Sequence, residues 1–114
     1  MEYNSDFKYD LKVGVTKEKE IGNIFKNKKI EVKHDLMAVR TGNVYVEYIS
    51  RNKKSGIAIS VADYYCFAFR NTFHFIKTDE LKAKCRKYIN TVRDVRGGDN
   101  NTSRGILLPV TELL

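Results

Sequence analysis

Lys29-Ile-Glu-Val-Lys-His-Asp35 and, after a short polar segment, Gly42-Asn-Val-Tyr-Val-Glu-Tyr-Ile-Ser50 carry the strongest structural signal in this chain. The first segment alternates. Ile30, Val32 and His34 point one way, and Glu31, Lys33 and Asp35 the other, the period of a strand with one buried face. Thr41-Gly42-Asn43 reads as a turn. Val44 to Ser50 reads as a second strand on which Tyr45, Glu47 and Ile49 share a face. Side by side, the two strands would bring Glu31, Lys33 and Asp35 close to Glu47. Carboxylates with a lysine beside them make a hard-cation site with a positive charge next to it. That is the minimum needed to hydrolyse a phosphodiester with magnesium.

The chain has 114 residues and a hydrophobic content of 42%, enough for one domain with one core and too apolar for a disordered segment. No apolar run approaches the roughly 20 residues that span a bilayer. Met1-Glu-Tyr-Asn-Ser-Asp6 is polar and acidic and does not read as a signal peptide. The expectation is a cytoplasmic protein with no membrane association. Cys66 and Cys85 fall on apolar positions and read as buried thiols in a reducing compartment. A structural zinc site is not expected: there is no Cys-x-x-Cys, and His34 and His74 have no helical partner four residues away. The net charge is +7 and the pI about 9.4, which points to a polyanionic partner: DNA, RNA or an anionic membrane surface.

Along the chain, Phe7 to Val13 reads as a short strand or extended arm, and Thr16 as the cap of a helix running to about Lys26, with an apolar stripe at Ile21, Ile24 and Phe25. Arg51-Asn-Lys-Lys-Ser-Gly56 is a basic turn compatible with a hairpin-like meander. Ile57 to Asp63 fits either extended chain or a helical turn capped by Ser60. Tyr64-Tyr-Cys-Phe-Ala-Phe69 is apolar on both faces, as in a central strand. Phe73 to Lys77 pairs back on it. Thr78 caps a second helix with Leu81, Cys85, Tyr88 and Ile89 on its buried stripe. Residues 93–105 form a glycine-rich basic loop, and Ile106 to Val110 tucks against the body. The whole chain, 1–114, reads as a single α/β (α+β) domain: a central mixed β-sheet flanked by helices.

Within the acidic and basic pattern, Asp35 and Glu47 are the first choice as metal ligands. Lys33, two residues before Asp35, projects on the same side and can orient a water or stabilise an anionic transition state. A third acid would come from the upstream helix. Glu18 lies nearer the apolar stripe than Glu20 and is preferred, with Glu20 the alternative. Glu31 pairs with Lys33 or sits just behind the site.

Lys29-Ile-Glu-Val-Lys-His-Asp35, Thr41-Gly-Asn-Val-Tyr-Val-Glu-Tyr48, Ser55-Gly-Ile57 and Ala62-Asp-Tyr-Tyr65, taken together and in order, resemble small phage-type nucleases of the PD-(D/E)xK superfamily. Phe75-Ile-Lys-Thr78 and Arg96-Gly-Gly-Asp99 are similar to that group too. The resemblance runs from about Asp10 onward. It implies a restriction-endonuclease-like core and DNA cleavage dependent on magnesium or manganese. Asp35 would match the first aspartate of the pattern, Glu47 the second acid, and Glu18 or Glu20 the helix acid. The pattern has lysine two residues after the second acid, where this chain has Ile49; Lys33, from the other strand, would take its place. His34 stands where the pattern has proline. A phage-encoded protein of this kind would work in the host cytoplasm.

Arg40, Arg51, Lys53 and Lys54 cluster in the turns around the two strands and suit phosphate contacts without base reading. Arg93, Arg96, Arg104, Asn101 and Ser103 supply a second set in the glycine-rich segment. The expected function is that of an endonuclease acting on branched or phage DNA (junction-resolving, nicking or homing type). A homodimer is expected, because one small domain carries one site and two strands must be cut. The alternatives are a non-catalytic nucleic-acid-binding protein on the same fold and a small phage inhibitor that binds another protein.

Overall fold

The computed structural model describes residues 25–113 of the chain. Strand β1 (Ile30–His34) leads through one helical turn, α1 (Ala38–Thr41), into β2 (Asn43–Ser50) and the two-residue β3 (Lys53–Lys54). A 3-10 turn (Gly56–Ala58) precedes the hairpin of β4 (Tyr64–Ala68) and β5 (Phe73–Lys77), which runs directly into helix α2 (Thr78–Arg86). A second hairpin, β6 (Asp94–Gly97) and β7 (Ser103–Pro109), ends in a 3-10 turn at Val110–Leu113. The result is an α+β fold with two sheets and few helices.

One sheet has the order β1-β4-β5, with β1 parallel and β5 antiparallel to β4. The other is antiparallel throughout, in the order β3-β2-β7-β6. The single central sheet expected from the sequence is therefore two sheets, and β1 and β2 are not neighbours. The choice of partner follows from burial. Val44 and Val46 of β2 face Leu108 and Ile106 of β7 in register, and all four are buried. β1 instead lies against the apolar β4, pairing Lys33 with Phe67 and Glu31 with Tyr65. Alternation specifies which face of a strand is buried; it does not specify the neighbour.

The segment 93–105, expected as a loop, is mostly β6, a tight turn and the start of β7. Its turn residues Asn100 and Asn101 have positive φ, and the two hairpin glycines outside that turn serve packing. The ring of Tyr45 lies over Gly97 and Gly105: a Cβ added to Gly105 would stand 2.7 Å from the ring and from the Val46 carbonyl oxygen. Glycine here marks close approach of a side chain to backbone. The register of β2 shifts against β7 between Glu47 and Ile49, so the strict alternation expected through Ile49 breaks at Tyr48.

Between the sheets lies a core that includes Val44, Val46, Tyr65, Phe67, Ile106 and Leu108. Leu81 and Cys85 of α2, four residues apart, enter it from the side. Asp79 and Glu80 at the start of α2 and Lys84 and Arg86 at its end oppose the helix dipole. The helix begins at Thr78, whose side chain is buried, so Thr78 is its first residue and not its cap. The β2–β3 connection is the meander expected, turning through Arg51 and Asn52 at positive φ. The expected extended arm at Phe7 to Val13 and nearly all of the helix capped by Thr16 lie outside the described residues. No described helix is long and apolar enough to cross a membrane.

Candidate functional site

A cavity of about 190 Å³ opens between the sheets, with Lys33 of β1, Tyr45 and Glu47 of β2, Gly56, and Tyr65 and Phe67 of β4 in its wall. The parallel β1–β4 register sets Lys33 on the face of Phe67 and Tyr65, whose rings stack at 6.0 Å between centroids. Glu47 arrives from the other sheet. Lys33 and Glu47 thus border one cavity although their strands are not paired. A wider cavity of about 400 Å³ lies beside it, lined by Glu31, Ile59, Ser60 and Val61 and sharing Lys33, Gly56 and Tyr65 with the first.

The carboxylate of Glu47 is fixed. Its Oε2 accepts a hydrogen bond of 2.8 Å from the Ser55 hydroxyl. Gly56 makes that approach possible. It has φ +49°, and a Cβ there would lie 2.3 Å from the Glu47 carbonyl oxygen. A side chain is ruled out at that point by backbone on both counts. Ser55 and the aromatic walls Tyr65 and Phe67 were not singled out as site residues from the sequence. The Ser55-Gly56 pair after a basic turn is the signal that marks Ser55.

Lys33 Nζ stands 3.4 Å from Glu31 Oε2, with both side chains about half exposed. An ion pair that exposed contributes between zero and about 1 kcal/mol, so an anionic ligand can displace Glu31. Asp35 follows the end of β1. Its N–H donates to the Ala68 carbonyl at 3.1 Å, and its Oδ1 accepts from the Ala38 N–H at 3.0 Å. Asp35 is outside the wall of the Lys33–Glu47 cavity, and the adjacent strands that were to bring it to Glu47 belong to different sheets. Among the described residues no group of three or more His, Cys, Asp and Glu is placed to hold a metal ion. Glu18 and Glu20 lie outside the described residues.

The basic residues divide into two sets. Arg40, Arg51, Lys53, Lys54 and Arg96 are exposed, as is Asn101. Arg93, Ser103 and Arg104 have internal partners. Arg93 donates to Asn43 Oδ1 at 2.8 Å and to the Leu107 carbonyl at 2.9 Å. Ser103 is buried and shares a 2.8 Å hydrogen bond with the Tyr45 hydroxyl. Arg104 pairs with Asp94 at 3.0 Å, and the Asp94 side chain has no exposed surface. The Tyr48 hydroxyl donates to the same carboxylate at 2.8 Å, as does the Asn90 N–H at 2.8 Å. Burial alone would push Asp94 up, but these donors together hold it below the ordinary carboxylate value. Tyr48 is pushed up by burial and by its bond to Asp94. Three residues assigned to nucleic acid from the sequence are thus ties of the β-sheet. That each is wholly or partly buried does not show in composition or spacing.

Comparison of the chain with protein-family models, with curated proteins and with solved structures finds no match.

Proposed function

We propose that this protein is a divalent-metal-dependent DNA endonuclease with a restriction-endonuclease-like core, acting as a homodimer in the cytoplasm, with the Lys33–Glu47 cavity as its active site. The observation that carries the reading is the convergence of Lys33 and Glu47 on one cavity from strands of different sheets, with Glu47 fixed by Ser55. The exposed set Arg40, Arg51, Lys53, Lys54 and Arg96 supports it, because such charges hold a phosphate backbone. So does the likeness of the Lys29–Asp35 and Thr41–Tyr48 segments to the PD-(D/E)xK pattern.

The donors suit a hard cation. They are carboxylate oxygens, while Cys66 and Cys85 are buried elsewhere. Magnesium needs one or two protein carboxylates, the remaining positions going to water and substrate phosphate. Glu47, the carboxylate in the cavity wall, would hold it. Bound there, it would lower the pKa of a coordinated water and neutralise charge on the phosphate. Ser55 keeps one oxygen of Glu47 engaged and so leaves the other to face a ligand. Lys33 brings an ammonium to the same wall, where it neutralises a phosphate oxygen as negative charge grows on it. Tyr65 and Phe67 exclude water from that side.

Incubation with supercoiled plasmid and with a four-way junction, in magnesium, manganese or EDTA, tests the proposal. Cleavage that requires the metal, and that falls about 100-fold or more in Glu47→Gln and in Lys33→Ala, is the expected result. Full activity of Glu47→Gln, or cutting in EDTA, overturns it. A second reading, a DNA-binding protein without catalysis, is favoured by Ile49 in the lysine position and by the lack of a three-ligand group among the described residues. It expects binding at low salt with no cutting in either metal.

A further inference from the structure

The turn that follows Asp35 exposes apolar side chains in a rigid setting. Leu36, Met37 and Val39 are 69%, 53% and 68% exposed, while Ala38 between them is buried at 2%. The backbone is tied at both ends. Asp35 bonds to Ala68 and receives the Ala38 N–H, and the Gly42 N–H donates to the Ala38 carbonyl at 2.8 Å. Leu36, Met37 and Val39 line a groove of about 300 Å³ together with Arg40 and Arg70, and among the described residues no carboxylate lines it. Arg40 is held over the patch by a 3.4 Å contact of its Nη2 with the Met37 sulfur.

A buried anchor under projecting Leu, Met and Val costs solvation unless a partner covers them. The arginines narrow the choice of partner. A second copy docked two-fold on the same patch would bring four guanidinium groups together without an acid, which is unfavourable. A stacked duplex offers both what the apolar side chains need and what the arginines need: aromatic base faces between rows of phosphates. Side chains such as Leu and Met enter duplexes as wedges between base steps. The place is suitable as well, since three residues of chain from Lys33 to Leu36 span at most about 10 Å.

We propose that the Leu36–Val39 turn is a wedge that enters a nucleic-acid duplex between two base steps, with Arg40 and Arg70 holding the flanking phosphates. The wedge rests on the reading of the protein as a DNA-binding one but not on catalysis. It places the deformed step within one base step or a few of the Lys33–Glu47 cavity, and so favours junctions, mismatches and other weakly stacked sites.

The test is equilibrium binding in EDTA to a duplex carrying 2-aminopurine, with and without a mismatch, so that no cleavage is needed. The expected result is a rise in fluorescence on binding, larger at the mismatch. The rise is lost in Leu36→Ser/Met37→Ser and kept in Leu36→Phe, which still presents an apolar wedge and also shows that the turn folds. Arg40→Gln/Arg70→Gln should lower the slope of log affinity against log salt by about 1.8, at about 0.9 for each phosphate no longer neutralised. An unchanged rise in the double serine variant, or binding with no rise at all, overturns the wedge. So does binding of this patch to phosphatidylserine vesicles in place of DNA, or a shift from dimer to monomer in sedimentation caused by Leu36→Ser. Unstacking without cutting in magnesium would remove the nuclease reading and leave the wedge; cutting with an inert patch would do the reverse.

Discussion

In the antiparallel sheet, Tyr45, Tyr48, Arg93, Asp94, Ser103 and Arg104 are bonded to one another or to the backbone of β7, whereas along β1 and α1 the polar residues Glu31, Lys33 and Arg40 are exposed. Both regions come from similar sequence, charged residues alternating with apolar and aromatic ones. The difference lies in what stands across the strand. β2 and β6 flank β7, so polar groups on one meet partners on another. Among the described residues β1 is an edge strand whose neighbour, β4, offers apolar side chains. A charged residue there has no polar partner across the strand and is available to a ligand. The comparison teaches that what stands across from a side chain, more than its type, separates structural from functional charge.

The comparison breaks most visibly at the glycines that let two backbones meet. Gly56→Ala is expected to have the largest effect. It combines a left-handed φ with a Cβ 2.3 Å from the Glu47 carbonyl, and should cost about 3 kcal/mol or more. It should also release Ser55 from Glu47, so that any cleavage falls further than stability does. Gly105→Ala strikes the other region, with a Cβ 2.7 Å from the Val46 carbonyl and the Tyr45 ring. It should cost about 3 kcal/mol and shift Tyr45 in the cavity wall, but leave the Ser55–Glu47 bond in place. Urea unfolding measures both. Equal stability losses with unequal activity losses support the division of the molecule; loss of activity in step with stability for both removes it.

Asp94→Asn comes next, at about 2 kcal/mol, the scale of hydrogen bonds to a charged group lost from a buried carboxylate. Its pH dependence has a definite sign. The folded-state value of Asp94 is lowered from 3.8, so its contribution is complete above the unfolded value. That contribution is lost as pH falls from there through the folded one. The wild-type protein should therefore lose stability below about pH 4 more steeply than Asp94→Asn, measured as urea midpoints from pH 7 to pH 3. Parallel curves would show that Asp94 is not the group that ties β6 to β2.

Much of the scaffold could be read from residues. The apolar run from Tyr64 holds the central β4, and Phe73–Lys77 pairs back on it; of the expected stripe Leu81, Cys85, Tyr88 and Ile89, the first two are buried in α2, while Tyr88 and Ile89 follow its end and Ile89 is exposed. The pairing of β2 with β7 could not be read that way, because glycines and asparagines in 93–105 mimic a loop when only the turn residues among them are one. At the candidate site, Lys33 and Glu47 were legible by type and charge. Their meeting was expected from the pairing of adjacent strands and comes instead from how two sheets pack, which the sequence pattern does not encode. The roles of Arg93, Arg104 and Ser103 were hidden for the same reason: a basic or hydroxyl residue in sequence looks alike whether Asp94 or Tyr45 awaits it or not.

A smaller effect separates those two sets of cations in solution. Neutralising exposed ones, as in Arg51→Gln/Lys53→Gln/Lys54→Gln, should lower the salt slope of DNA binding by up to about 2.7, at about 0.9 for each phosphate no longer neutralised, with stability within about 0.5 kcal/mol of wild type. Arg104→Gln should leave the slope unchanged and lower the urea midpoint instead. A slope change in Arg104→Gln would show that Asp94 releases it to the ligand, and the division between exposed and partnered cations would fail there.

The smallest signal comes from the two thiols, and it sharpens the same division. Burial pushes Cys66 up to about 11 and Cys85 to about 12. At pH 8 only about one molecule in a thousand would then carry a Cys66 thiolate and about one in ten thousand a Cys85 thiolate, and neither should react with an aromatic disulfide reagent in the folded protein. Cys85 belongs to the core between the sheets, and Cys66, on β4, lies outside that cluster. If the β1-β4-β5 sheet opens before α2 leaves the core, Cys66 should be modified at a lower guanidinium concentration than Cys85, as mapped by mass spectrometry of the labelled protein. Simultaneous labelling would make β4 and α2 one cooperative unit. Earlier labelling of Cys85 would show that the helix side, not the exposed-charge side, is the weaker one.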